Sequence, residues 1–170
     1  MECTIYNATL EEMDDPLELQ RLANTFATEY FALLRRSPSD IFKFYSHDSL
    51  FAYGSHQRQD DIVVPFKGIF EIHSAIFDLN WSNAKINIRF VDAQVMGQRN
   101  VLIQIYGDVL KKREEPCRFI RTMVLRCSRS NDFYIQNDIL NYEDDIFEKN
   151  DFQILINDSE KDIFLQSNDI

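Results

Sequence analysis

The first third of the chain carries apolar residues at helical spacing. A helix is expected to begin at Pro16, because Asp14 and Asp15 supply an acidic cap and proline favours the first turn. Ser37-Pro38 should end it. Two adjacent stripes give this helix a wide apolar face. Their members are Leu22, Phe26, Glu29 and Leu33 on one stripe and Ala23, Ala27, Tyr30 and Leu34 on the other.

Two shorter segments continue the helical pattern. Ser39 to Tyr45 predicts a second helix, and Ile69 to Leu79 predicts a third. Ser49 to Tyr53, between them, is a short strand candidate that ends at Gly54. The polar stretch Ser55 to Pro65 is expected to be a loop.

Four segments in the second half are rich in β-branched and aromatic residues and predict strands. They are Ala84 to Val95, Val101 to Leu110, Arg118 to Cys127 and Phe133 to Leu140. Asn137-Asp138, near the end of the last strand, is expected to satisfy backbone groups there. This order of elements predicts an α+β fold, with a bent antiparallel sheet and three helices packed on one face.

The other face of this sheet also needs cover, because several strands are apolar on both sides. In Arg118 to Cys127, Ile120 and Val124 lie on one side, and Phe119, Met123 and Leu125 lie on the other. A symmetric dimer that packs sheet on sheet would supply that cover. The sequence therefore predicts a homodimer.

Length and charge limit the possible partners. The 170 residues are expected to form an N-terminal extension over 1–15, one domain over 16–149 and an acidic-apolar tail over 150–170. The tail should pack in part on the domain. A net charge of -10 disfavours direct nucleic-acid binding. No segment is expected to enter a membrane, and the three cysteines are expected to be free thiols in a cytoplasmic protein, with nuclear shuttling left open.

Metal and cofactor chemistry is not predicted either. The histidines show no ligand-like spacing, and the glycines are too scattered for a phosphate loop. The acidic run Glu143-Asp144-Asp145 lacks the spacing of calcium loops and is expected to be solvated.

Several local runs carry a resemblance to one family. They are Phe26 to Leu34, Gly68 to His73, Val91 to Gln94, Arg118 to Leu125 and Phe133 to Phe147. Together they are similar to the NTF2-like domain of the Ras-GAP SH3-binding proteins, the stress-granule scaffold family that includes Rasputin. The resemblance implies a non-catalytic homodimer that acts as a scaffold of ribonucleoprotein type and binds short Phe-Gly linear motifs of partner proteins.

The resemblance also implies a position for the aromatic groove that binds these motifs. It maps onto Leu22, Phe26 and Glu29 of the first helix, onto Phe44 of the second, and onto Phe133 of the last strand. Phe26 and Phe44 would form its floor, with Phe133 as a wall. Leu22, Phe26 and Glu29 share one helix face by their spacing.

This chain departs from the family pattern at three groove positions. Glu29 stands where the family usually has Gln, and Phe42-Lys43 replaces a His-Arg pair. Lys43 keeps one positive charge but loses the planar fork of arginine. A preference for a motif other than Phe-Gly-Asp-Phe is therefore expected.

Two other functions stay open on sequence grounds. One is a nuclear transport or mRNA export adaptor that binds nucleoporin Phe-Gly repeats. The other is a cavity enzyme of the isomerase or dehydratase type, which needs a buried Asp base and Tyr or Asp donors. The candidates for that chemistry are Tyr30, Asp92, Tyr106 and Asp138. Nothing in the sequence indicates that these four residues converge.

Overall fold

The long first helix forms as its caps predict. In the computed structural model, backbone and side chains are described for residues 13–54, 63–97, 99–112, 115–128 and 132–143, and the backbone alone for 58–59, 62, 152–156 and 163–167. Helix α1 spans Pro16–Arg36, and the Asp15 carboxylate accepts a hydrogen bond of 2.9 Å from the Leu17 backbone N–H. Its other end closes where the Ser37 N–H donates to the Leu33 carbonyl.

The two shorter helices also form, with one difference in type. Pro38–Phe44 is a 3₁₀ helix, and Gly68–Asp78 is the α-helix α2. Gly68 has φ of +80°, and a Cβ there would lie 3.1 Å from the His47 carbonyl oxygen. Glycine is therefore required where α2 leaves the preceding strand. No helix in the described part of the chain is long and apolar enough to span a membrane.

Ten strands complete the described structure. They are β1 (Tyr45–Tyr53), β2 (Arg58–Gln59), β3 (Ile62–Val63), β4 (Phe66–Lys67), β5 (Lys85–Met96), β6 (Asn100–Leu110), β7 (Cys117–Cys127), β8 (Phe133–Tyr142), β9 (Phe152–Ile156) and β10 (Ile163–Ser167). Six of them form one curved sheet in the order β4-β1-β8-β7-β6-β5. The α+β arrangement with three helices is confirmed. Strands β2 and β3 pair with each other, as do β9 and β10.

Three details of the predicted sheet were wrong. Strand β1 runs parallel to β8, so the sheet is mixed rather than purely antiparallel. Strand β8 continues to Tyr142, and Asp138 lies within it opposite Met123, so Asp138 does not serve a strand end. The predicted loop from Ser55 to Pro65 contains the short β2–β3 pair.

The two faces of the sheet have different environments. The inner face packs against the helices and holds the apolar core, with Ile103, Ile105 and Met123 fully buried. On the outer face Phe90 is 67% exposed and Ile139 is 48% exposed. Phe90 points outward because the β5–β6 register shifts between Ile88 and Phe90, and such a bulge resets the side-chain alternation.

Candidate functional site

A polar cluster lies inside the core, between α1, β1, β7 and β8. Arg121 donates from Nε to Asp138 Oδ1 at 2.9 Å and from Nη2 to Asp138 Oδ2 at 2.7 Å. The Tyr45 hydroxyl donates to Asp138 Oδ2 at 2.6 Å, and Arg121 Nη2 donates to the Tyr30 hydroxyl at 2.5 Å. The hydroxyls of Tyr30 and Tyr45 are 2.9 Å apart, and Tyr30 must be the donor because the Tyr45 proton is engaged. We call these four residues the buried network.

Burial sets the electrostatics of this network. The side chains of Arg121 and Asp138 are 0% exposed. Burial raises the pKa of Tyr30, and burial together with the negative charge of Asp138 raises the pKa of Tyr45. Burial alone would lower the pKa of Arg121, but Asp138 and the tyrosines outweigh it and the pKa is raised. The guanidinium carbon also lies 4.6 Å from the centre of the Tyr30 ring and 5.5 Å from that of Phe51.

The network bears on the enzyme alternative. Two of the four candidates, Tyr30 and Asp138, do come together, whereas Asp92 is exposed on β5 and the Tyr106 hydroxyl donates to Gln104. The Asp138 carboxylate already accepts from Arg121 and from a tyrosine, and it is sealed from solvent. A general base needs an accessible, basic oxygen near its substrate. This arrangement favours a structural role for the carboxylate.

An open cleft lies above this network, on the side of the 3₁₀ helix. Its volume is about 350 Å³. It forms where the 3₁₀ helix, the start of β1, the start of α2 and the β7–β8 connection meet. The side chains that line it are Phe42, Lys43, Tyr45, Ser46, His47, Ile69, Ser128, Asp132, Phe133 and Tyr134. A volume of this size accommodates one or two side chains of a ligand.

The structure divides the predicted groove residues into two sets. Phe42, Lys43 and Phe133 line the cleft, and Phe42 is 38% exposed. Leu22, Phe26 and Phe44 do not line it, because they are buried in the core. Glu29 is exposed on α1 and is not among the lining residues.

Phe26 and Phe44, two predicted groove residues that are buried, still help to position the residues that line the cleft. The ring of Phe44 makes edge-to-face contacts with Phe26 at 5.8 Å and with Tyr30 at 5.1 Å between ring centres. Such packing fixes Phe44, and the chain on either side of it presents Phe42 and Tyr45 to the cleft. The rings of Phe42 and His73 meet edge to face, with 6.4 Å between their centres.

Charged and polar groups surround the aromatic lining. Lys43 pairs with Asp40 at 3.1 Å on the same 3₁₀ helix, and the two side chains are 42% and 38% exposed. The Tyr134 hydroxyl donates to Gln136 at 3.1 Å, and burial raises its pKa. The cleft thus combines an apolar floor with a polar rim, which is the usual composition of a site that holds a peptide side chain.

The sequence analysis missed Arg121 and Tyr45 of the buried network, as well as cleft-lining residues such as Ile69 and Tyr134. Arg121 falls at an inward position of β7 between Phe119 and Met123, and that alternation is a signal that a charge lies on the core face. Tyr45 was assigned to the end of the second helix, next to Phe44. Its role depends on the contact with Asp138, which is 93 residues away and gives no local signal.

The comparisons with known proteins agree with this architecture. The model of the nuclear transport factor 2 (NTF2) domain matches residues 22–142, and the chain therefore belongs to the NTF2 domain family. It is 26% identical over 161 residues to a Schizosaccharomyces pombe protein described as G3BP-like. That match covers 94% of this chain and 36% of the relative, so the chain spans about a third of the relative's length.

Solved structures show the same fold at low identity. The Cryptosporidium parvum nuclear transport factor 2 has a TM-score of 0.64 and 20% identity, over 76% of this chain and 97% of that chain. A chain of the complex of yeast deubiquitinase Ubp3 with its cofactor Bre5 has a TM-score of 0.60 and 23% identity, over 72% and 95%. A Parabacteroides distasonis protein described as a ketosteroid isomerase has a TM-score of 0.60 and 14% identity, over 82% and 95%. Since enzymes and binding proteins share the fold, the site decides the function.

Metal chemistry finds no support in the described residues. No group of three or more His, Cys, Asp or Glu side chains among them is placed to hold a metal ion.

Proposed function

We propose that this domain is a non-catalytic protein-interaction module that binds a short aromatic motif of a partner protein, of the Phe-Gly type. The observation that carries this proposal is the cleft, where Phe42 stays 38% exposed beside buried Phe133. A large ring left partly in water at the edge of a pocket gains stability when a second ring covers it. The sequence relative described as G3BP-like supports a scaffold role of ribonucleoprotein or stress-granule type.

We also propose that the domain is a homodimer through the outer face of the sheet. Phe90 and Ile139 are exposed there, together with Met96 at 42%. Apolar side chains gathered on one otherwise open sheet face are typical of an interface. The cleft lies at the helix side of the molecule, so dimer formation leaves it open to a partner.

The chemistry of the cleft rim favours an acidic residue beside the ligand ring. Lys43 sits next to Phe42, and its pair with Asp40 is exposed and therefore weak. An incoming carboxylate can exchange with Asp40 at little cost. Lys43→Glu should weaken binding of an acidic peptide, and added salt should narrow the difference from the wild type.

The test is a fluorescence-polarisation titration with labelled Phe-Gly-Asp-Phe peptide and, in parallel, a nucleoporin Phe-Gly repeat peptide. Phe42→Ala should weaken binding by about 2 kcal/mol, or roughly 30-fold. The matched control is Phe77→Ala, which removes a phenylalanine of 62% exposure from α2 away from the cleft lining and should leave affinity unchanged. Preference for the repeat peptide would favour the transport adaptor. Equal affinities of the wild type and Phe42→Ala would refute the cleft assignment.

A further inference from the structure

Tyr45 belongs both to the cleft and to the buried network. Tyr45 is 5% exposed and is one of the residues that line the cleft. Its hydroxyl lies at the opposite end of the side chain, 2.6 Å from Asp138 Oδ2, 2.9 Å from the Tyr30 hydroxyl and 3.3 Å from Arg121 Nη2. One side chain therefore connects a charge-paired core to the surface on which we place the ligand.

The backbone around Tyr45 makes the hydrogen bonds of its hydroxyl important for the position of the side chain. Tyr45 pairs with Ile135 of β8, but the register between the two strands shifts before Leu50. Within the shifted segment, the Ser49 hydroxyl donates to the Ile135 carbonyl at 2.5 Å and accepts from the Ser46 N–H at 2.8 Å. Regular ladder bonds are interrupted here, so the hydrogen bonds of the hydroxyl, together with core packing, fix the orientation of the Tyr45 ring.

We propose that Tyr45 is the specificity-determining floor of the cleft and that Arg121 and Asp138 are positioning residues that act through its hydroxyl. The inference rests on the proposed function of the cleft and names its ligand class as a single aromatic side chain of a partner protein. Edge-to-face and stacked ring contacts depend on the plane of both rings. A floor ring held in one orientation costs no rotamer entropy when the ligand binds.

Two similar substitutions in the buried network should have different effects on peptide binding. Tyr45→Phe and Tyr30→Phe each remove one hydroxyl from the same sealed network. Both should therefore reduce stability by similar amounts. Tyr30 does not line the cleft, and after its substitution Tyr45 keeps its bond to Asp138. Only Tyr45→Phe removes the hydrogen bond to Asp138 that anchors the side chain of the floor.

The experiment measures peptide affinity and thermal stability for the wild type, Tyr45→Phe, Tyr30→Phe and Phe42→Ala, with labelled Phe-Gly-Asp-Phe peptide as the probe. We expect Tyr45→Phe to weaken peptide binding about fivefold, as one lost hydrogen bond to the anchor implies. Tyr30→Phe should lower the melting temperature similarly and change affinity less than twofold. Asp138→Asn keeps an acceptor for the Tyr45 hydroxyl, and Asp138→Ala does not. Where the two variants lose similar amounts of stability, Asp138→Asn should therefore bind the peptide more tightly.

The outcomes separate this inference from the proposed function. If Phe42→Ala weakens binding and the two tyrosine variants behave alike, the cleft binds the peptide but the positioning role is wrong. If Phe42→Ala binds like the wild type, or the wild type binds no peptide, the proposed function and this inference fall together. A loss of affinity confined to Tyr45→Phe and Phe42→Ala supports both.

Discussion

The two faces of the sheet depart from the usual rule of burial in opposite ways. The inner face buries an arginine and an aspartate at 0% exposure, while the outer face leaves Phe90 and Ile139 largely exposed. Buried charges and exposed aromatic rings are the informative exceptions to ordinary burial. The inner charges pair with each other within the chain, although Arg121 Nη1 has no hydrogen-bond partner, whereas the outer side chains stay exposed in the described part of the single chain. The inner face is thus closed within the chain, and the outer face is the one that the proposed dimer would cover.

Breaking the Arg121–Asp138 ion pair of the inner face should have the largest effect on stability. Arg121→Met keeps much of the side-chain volume but leaves Asp138 buried without its cation, so the unfolding free energy should fall by about 3–5 kcal/mol. Urea denaturation measures this change. The double variant Arg121→Met with Asp138→Leu should recover most of the loss. A small loss in the single variant would mean that water reaches Asp138.

Charging the outer face should break the dimer and leave the fold intact. Phe90→Lys places a charge in the proposed interface and should weaken dimerisation by about 2 kcal/mol or more, roughly 30-fold. Sedimentation velocity at micromolar concentration measures the change in mass. Phe77→Lys is the matched control, because Phe77 is 62% exposed on α2 against 67% for Phe90. A wild type that sediments as a monomer would contradict the proposal that a second copy covers the outer face.

Removing one hydroxyl from the inner face should have a smaller effect. Tyr30→Phe should lower the unfolding free energy by about 1 kcal/mol, because Arg121 Nη2 keeps its bonds to Asp138 and Tyr45. Chemical denaturation at neutral pH, with the wild type as reference, checks this value. A loss above about 3 kcal/mol would show that the network collapses as a unit.

The same tyrosines predict a pH dependence. Burial raises the pKa of Tyr30 and of Tyr45 above the ordinary value of 10.0, so the folded state favours the neutral phenols. Their contribution to stability is fully present below pH 10 and is lost as the pH rises above it, because the unfolded chain ionises first. Unfolding free energy measured from pH 8 to 11 should fall, and less steeply in Tyr30→Phe. An identical slope in both proteins would contradict the assignment.

The smallest effect is expected at an exposed ion pair. Arg118 Nη1 of β7 lies 3.0 Å from a carboxylate oxygen of Glu143, the residue after β8, and the two side chains are 68% and 39% exposed. Such pairs contribute about 0–1 kcal/mol. Glu143→Gln should therefore change the midpoint of thermal unfolding only slightly. A large shift would place this pair in an interface.

The sequence predicts the elements better than it predicts their contacts. Periodicity identified α1 because Leu22 and Phe26 recur on one helix face, and alternation identified β6 and β7. These signals are local, and the physics that produces them acts within a few residues. The parallel pairing of β1 with β8 joins strands from distant parts of the chain, and no local pattern encodes it.

The same limit explains what could be predicted of the site. Phe42, Lys43 and Phe133 were named from resemblance, and the structure brings them to one cleft. Phe26 and Phe44 were named with them, but helical spacing identifies an apolar face without saying whether a ligand or the core covers it. Ile69 and Tyr134 come from separate elements and could not be added without the fold.

The most direct test of the account is to map the peptide onto the two faces of the molecule. NMR spectra of the labelled protein are recorded while Phe-Gly-Asp-Phe peptide is added. Binding in the cleft should shift the signals of Phe42, Ile69 and Phe133 and leave those of Phe90 and Ile139 on the outer face unchanged. Shifts confined to Phe90 and Ile139 would contradict it, because the partner surface would then be the open sheet face.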